Sequence, residues 1–202
     1  MEDIYKTIKE NSEGFFKDRG SKFIGLAFPV FSETEIKDIQ KNLRNQYYDA
    51  RHHCFAWRLG ADKLHYRVND DGEPSNSAGM PIFGQIQSFD LTNILIVVVR
   101  YFGGTKLGVP GLINAYRTAA SEAIRNGEII EKTVNNITKI HFEYLAMNDV
   151  MTVLKEEQLE QFEQCFELQC SINVKLRLSE AQRITERLEK IDSVKIEILR
   201  TE

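Results

Sequence analysis

Six apolar residues in an unbroken run, Ile94-Leu95-Ile96-Val97-Val98-Val99, constrain this 202-residue chain more than any other feature. A strand with one wet face alternates apolar and polar side chains. A run without alternation, rich in β-branched residues, suits a strand buried on both faces. The run therefore predicts the centre of a sheet, and its neighbours supply the rest of a packed domain. Phe31-Ser32-Glu33-Thr34-Glu35-Ile36 has the form of a helix start, with Ser32 as cap, Glu35 reaching back and Phe31 stapled onto Ile36. Ile36, Ile39 and Leu43 then recur on one face. Lys22–Phe28 and Cys54–Leu59 read as strands. Asn69-Asp70-Asp71-Gly72-Glu73-Pro74 is turn chemistry, and Ser75-Asn76-Ser77 offers caps for a helix over about Ala78–Gln87. Gly103-Gly104-Thr105-Lys106-Leu107-Gly108 leads into a helix from about Gly111 to Asn126, which Gly127 stops.

After residue 130 the pattern changes, which predicts an N-terminal domain over 1–130, a polar linker over 131–136 and a second domain over 137–202. Ile140, Phe142 and Tyr144 alternate with Lys139, His141 and Glu143, and a short helix with Val150, Val153 and Leu154 follows. Phe162, Phe166 and Leu168 are expected on one strand face, and Ile172, Val174, Leu176 and Leu178 on another. Ser179 with Gln182 has the spacing of a capping box before a helix face of Ile184, Leu188 and Ile191, and Val194, Ile196 and Ile198 make a last strand. The order βαββαβ is that of a ferredoxin-like fold, so the fold class is α+β with two domains. Each of the four strands keeps a polar face, which predicts a sheet open on one side, its outward residues running from Lys139, His141 and Glu143 to Lys195 and Glu197, none of them aromatic. A surface without aromatics is a poor platform for stacking RNA bases.

No stretch reaches the ~18–20 consecutive apolar residues of a membrane span, and the start of the chain lacks the pattern of a signal peptide, so a cytoplasmic protein without membrane contact is expected. Cys54, Cys165 and Cys170 are scattered, with no Cys-x-x-Cys pair, and read as reduced thiols. The net charge is −4; residues 1–130 hold 16 basic and 16 acidic side chains, and the remainder 10 and 14. Neither half is basic, so a nucleic-acid contact has to come from a local patch, and no DNA-specific contact is expected.

Three segments concentrate chemistry-bearing residues: Ala50-Arg51-His52-His53-Cys54, the stretch from Asp70 to Gly79, and Arg100-Tyr101-Phe102-Gly103-Gly104-Thr105-Lys106-Leu107-Gly108. A glycine loop between a buried strand and a helix can hold an anion on backbone N–H groups, with Arg100 and Lys106 adding charge; equally, its glycines can serve only a tight connection. Its spacing is not that of a Walker loop. His52 and His53 are neighbours on a strand and point to opposite faces, so they cannot chelate one ion; no metal site and no cofactor is expected. Asp70, Asp71 and Glu73 suit a solvated turn, a divalent ion, acid–base work, or pairing with Arg51 and Arg100 around one pocket.

Together with Ser21-Lys22-Phe23-Ile24-Gly25, these segments resemble the signature blocks of the YigZ/Impact family, and the C-terminal module extends the resemblance over nearly the whole chain. The resemblance implies an N-terminal α/β domain like those of ribosomal proteins and translation factors, a C-terminal domain like the last domain of elongation factor G, and a cytosolic role in translation or its regulation under stress. Asn76 and Ser77 stand where relatives commonly show Gly-Thr, and Pro110 stands where glycine is usual. The expected function is non-enzymatic binding of RNA, the ribosome or a translation-associated protein. The expected anion-receptive cleft holds Arg51, His52, Arg100, Gly103, Gly104, Thr105, Lys106 and Arg117, with Asp70, Asp71 and Glu73 as its acidic cluster. Two alternatives stand beside it: a hydrolase using His52 or His53 with Asp70 or Asp71 and Ser75 or Ser77, and an interaction regulator acting through the open C-terminal sheet.

Overall fold

The computed structural model describes residues 3–201, which divide into two units, one of residues 5–132 and one of residues 133–201 with 3–4. The first unit opens with β1 (Ile4–Ile8), β2 (Ser12–Asp18) and β3 (Ser21–Pro29), then α1 (Glu33–Gln46), β4 (His52–Leu59), β5 (His65–Asn69), α2 (Gly79–Ser88), β6 (Ile94–Tyr101), α3 (Gly108–Arg125) and β7 (Ile129–Thr133). β1 pairs with β7, and the other five strands form one sheet in the order β2-β3-β6-β4-β5, antiparallel throughout. The apolar run is the middle strand. Ile94, Ile96 and Val98 pack under α2 and α3, while Leu95, Val97 and Val99 pack under α1 with Leu26, Phe55 and Trp57. The absence of alternation thus reflects helices on both faces.

α3 lies unusually close to the sheet because Gly14 and Gly25 stand opposite each other on β2 and β3. A Cβ on Gly25 would come 2.3 Å from the Ala119 carbonyl oxygen, and one on Gly14 2.2 Å from Ala123 N. The helix answers with Ala115, Ala119, Ala120 and Ala123 on its buried face. Pro110 falls in its first turn, where the missing N–H has no helical partner to lose.

Ser32 caps α1 as expected: its Oγ accepts from Glu35 N at 3.2 Å, and Glu35 accepts from Phe31 N at 2.8 Å. Phe31, expected to staple onto Ile36, also meets a residue far along the chain. Phe31 is more than half exposed and lies 4.9 Å beneath Lys132 Nζ. Residues 131–136, read as a linker, carry the end of β7 and the start of a strand of the second unit.

That unit runs β8 (Asn135–Glu143), a 3-10 turn over Tyr144–Ala146, α4 (Met147–Glu156), β9 (Glu160–Phe166), β10 (Gln169–Arg177), α5 (Leu178–Leu188) and β11 (Lys195–Thr201), with strand order β11-β8-β10-β9. This is the ferredoxin-like arrangement, with Ile140, Phe142, Ile172, Val174 and Leu176 packed against Val150, Leu154, Ile184 and Leu188. The Ser179–Gln182 capping box does not form; Gln182 bonds Glu186 instead. The start of α5 is held from far away, by the Asp3 carboxylate, which takes hydrogen bonds from Ser179 and the Arg177 side chain. These bonds hold the Asp3 carboxyl well below the usual range.

One further expectation is overturned. The β9–β10 register shifts between Ser171 and Asn173, with Glu163 in the left-handed region at φ 49°. This bulge adds one residue, so Phe162 stands opposite Asn173 on the open face while Phe166 stands opposite Cys170. Among the described residues the open face therefore holds one Phe, Tyr or Trp ring, short of the two or three that base-stacking sheets present.

Candidate functional site

The site is set by which strand ends meet. His52 at the start of β4 stands opposite Arg100 near the end of β6, and Arg100 stands opposite Phe23 near the start of β3. One end of the sheet therefore gathers Arg51, the β2–β3 turn and the glycine loop that follows Tyr101. The loop from Asp70 to Ala78 folds against the same end, since Asp71 Oδ2 accepts from His53 N at 2.6 Å.

Each acid of that loop is engaged inside the protein. Asp70 caps α2: Oδ1 accepts from Ala78 N at 3.0 Å and Gly79 N at 2.8 Å, and Oδ2 from Asn76 N at 2.9 Å. The expected caps, Ser75, Asn76 and Ser77, do not serve. Asn76 instead takes the left-handed conformation at φ 61°, which asparagine tolerates better than most residues and glycine better still. Asp71 accepts from Arg44 Nη2 at 2.9 Å as well as from His53 N. Burial pushes its carboxyl up, but the Arg44 and His53 hydrogen bonds outweigh this and leave it below its ordinary value. The Glu73 side chain is buried and accepts from Arg100 Nη1 at 2.5 Å and from Tyr116 OH at 2.8 Å. The Arg100 guanidinium also lies 5.5 Å from the Phe23 ring and 5.6 Å from the Phe102 ring. Pairing of the loop with Arg100 matches one expectation; the partner of Asp71 is Arg44, not Arg51.

His52, His53 and Ser77 are each placed by structural contacts rather than against one another. His52 Nδ1 faces the Asp71 backbone carbonyl at 2.9 Å rather than a carboxylate. His53 is buried on the opposite face of β4 with Phe55 and Trp57, and its Nδ1 is 4.0 Å from Asp71 Oδ2. The Tyr47 carbonyl approaches its ring, short of a hydrogen bond of normal geometry. Burial, then the charge of Arg44, push its pKa down, which favours the neutral ring. Ser77 is fully buried and donates to Pro74 O at 2.6 Å. Cys54 is also fully buried; its Sγ lies 3.0 Å from the Asp70 carbonyl and 3.3 Å from Tyr116 OH, and burial pushes both the thiol and the phenol up. Neither is a nucleophile in this setting.

The glycine loop is the opposite case. Gly103 is fixed by contact: its N donates to Ser21 Oγ at 3.1 Å, and a Cβ there would come 1.9 Å from the Gly20 carbonyl carbon. Beyond it Gly104, Thr105 and Lys106 are exposed, and α3 begins with no side-chain cap. Arg51 is exposed at the same sheet end. Arg117 is exposed on α3, about 13 Å along the helix from its start. Sequence reading missed Arg19, exposed in the β2–β3 turn against the glycine loop, and Lys22, exposed beside it. It also missed Arg44 and Tyr116, whose partners lie 27 and 43 residues away. In the other unit, a groove of about 470 Å³ lies between α5 and β11, bordered by Glu186 and Glu189, a poor match for an anion.

Among the described residues no helix is long and apolar enough to cross a membrane, and no three His, Cys, Asp or Glu side chains gather as a metal site would require. The family model of the Impact N-terminal domain matches residues 19–124, the span that contains every segment of this sheet end. The chain is 33% identical over 154 residues to the IMPACT family member YvyE of Bacillus subtilis, which covers 76% of this chain and 71% of that relative. It is 34% identical over 162 residues to an IMPACT family member of Haemophilus influenzae, covering 79% and 78%. The crystal structure of a hypothetical protein superposes over 99% of both chains with a TM-score of 0.74 at 24% identity, a likeness of fold. Matches of this breadth leave one assignment: the chain belongs to the Impact family.

Proposed function

We propose that the chain is a non-enzymatic binding protein of translation or its regulation, which grips phosphate oxygens of structured RNA, free or on the ribosome, at the glycine-loop end of its N-terminal sheet. The translational setting rests on the resemblance to the Impact family. The binding mode rests on one observation: Asp70, Asp71 and Glu73 are all engaged by internal donors. Their charge is opposed by Arg44, Arg100 and backbone N–H groups. Arg19, Lys22, Arg51 and Lys106 stay exposed at the same end, beside a helix start whose N–H groups favour an anion. Arg100 and His52 support the site from within, and Arg117 extends it along α3.

Such binding is salt-dependent and largely indifferent to sequence. Fluorescence anisotropy with a short RNA hairpin and with purified ribosomes should give affinities that fall as salt rises. Lys106→Ala should weaken binding across RNA sequences and reduce the salt slope by about one. A wild-type protein that binds neither ribosomes nor RNA at low salt would contradict the proposal.

A further inference from the structure

Four large apolar side chains crowd one end of the C-terminal sheet, outside its core. Leu145 is 91% exposed and Leu168 93%, with Tyr144 and Phe166 also exposed. The strand register makes them neighbours. Glu143 at the end of β8 stands opposite Gln169 at the start of β10, so the 3-10 turn after β8 adjoins the β9–β10 hairpin tip. Phe166 enters that tip opposite Cys170. Hairpin tips favour Gly, Asn and Asp, which supply positive φ or local hydrogen bonds, and no such need calls for a leucine at 168. A lone exposed apolar residue is ordinary on a protein surface; a contiguous group rimmed by charge marks a contact site.

The rim sets the sign of the partner. Glu143, Asp149, Glu167 and Asp192 are exposed around the patch, and Glu143 N donates to Ser193 Oγ at 3.1 Å, which brings the loop holding Asp192 to this end. Lys190 in that loop and Lys195, opposite His141 at the start of β11, are cations at the same end, so the four acids outnumber them. An acidic rim repels nucleic acid and anionic membrane, and two copies of the patch would press like-charged rims together. We infer that this end of the C-terminal domain docks a protein segment presenting apolar side chains flanked by Lys or Arg. The inference stands apart from the N-terminal anion site, since the two surfaces select opposite charge.

The test uses the full chain and two synthetic amphipathic helical peptides with the same leucine face, one flanked by lysines and one by glutamates. Isothermal titration should show the lysine peptide binding wild type at least tenfold more tightly than the glutamate peptide. Leu145→Ser with Leu168→Ser should weaken that binding at least tenfold without lowering the melting temperature, because both side chains are more than nine-tenths exposed. Lys106→Ala should leave it unchanged, which separates this surface from the N-terminal one. The inference fails if wild type does not bind the lysine peptide, or if the double variant binds it as wild type does. It fails equally if both peptides bind alike, if the patch mediates a dimer seen by sedimentation equilibrium, or if vesicles of anionic lipid bind more tightly than the peptide.

Discussion

Two loops meet at one end of the N-terminal sheet and behave in opposite ways. In the acidic loop, Asp70 binds three backbone N–H groups, Asp71 binds Arg44 and a β4 amide, and Glu73 binds Arg100 and Tyr116. In the glycine loop, Gly103 is tied to Ser21 and Leu107 packs against the core, while Gly104, Thr105 and Lys106 between them face solvent beside an uncapped helix start. The segment richest in reactive-looking residues is therefore scaffold, and the plainer one is surface. Where carboxylates meet internal donors at 2.5–3.0 Å, their chemistry is spent on holding the fold.

The contrast can be broken most severely at Glu73. Glu73→Ala leaves the Arg100 guanidinium buried without a carboxylate, which should cost about 3–5 kcal/mol in urea unfolding, whereas Glu73→Gln should cost less because it keeps an acceptor for Tyr116. Asp70→Ala should cost about 2 kcal/mol, at the upper end for a lost cap, with the Ala78 and Gly79 amides exchanging hydrogen faster than in wild type. A cost below about 0.5 kcal/mol for either alanine would mean that the acidic loop is not scaffold. His53 sharpens the same point through pH. Its folded pKa lies below the ordinary 6.5, so the stability it contributes is complete above that value. As the pH falls below 6.5, the unfolded chain takes up the proton first and the folded state loses ground. Stability measured from pH 7.5 to 5.5 should fall, and His53→Gln should flatten the curve. The smallest effect on stability belongs to the glycine loop: Lys106→Ala should leave the unfolding free energy within about 0.5 kcal/mol of wild type while weakening RNA binding.

What the sequence made legible was what depends on neighbours along the chain. The central position of β6 follows from six consecutive apolar residues, and the Ser32 cap of α1 from a bond three residues long. The opposite facing of His52 and His53 follows from strand alternation, and the structure puts His53 on the face of Phe55 and Trp57. The misses share another cause. α2 and α5 are held by Asp70 and Asp3, eight or more residues from the helix-start amides they serve, and α5 draws on a residue from the far end of the chain. Local candidates such as Ser75, Asn76 and Ser179 looked sufficient, and nothing in their spacing revealed the competitor. Phe162 was misplaced because a single extra residue at Glu163 reverses every face beyond it. Arg44 escaped notice because it sits in the last turn of α1, a common place for a basic residue that favours the helix dipole.

The glycine-loop end of the N-terminal sheet, on this reading, offers Arg19, Lys22, Arg51 and Lys106 to an anionic partner while Asp70, Asp71 and Glu73 are held by internal donors and Asp49, exposed at the same end, is bonded to Tyr101. Amide chemical shifts recorded as a short RNA hairpin is titrated in low salt test it most directly. Shifts are expected at Arg19, Lys22, Arg51 and Gly103–Lys106 that reverse on adding salt, with the C-terminal sheet unchanged. Shifts confined to the C-terminal unit, or none at any RNA concentration, would contradict it.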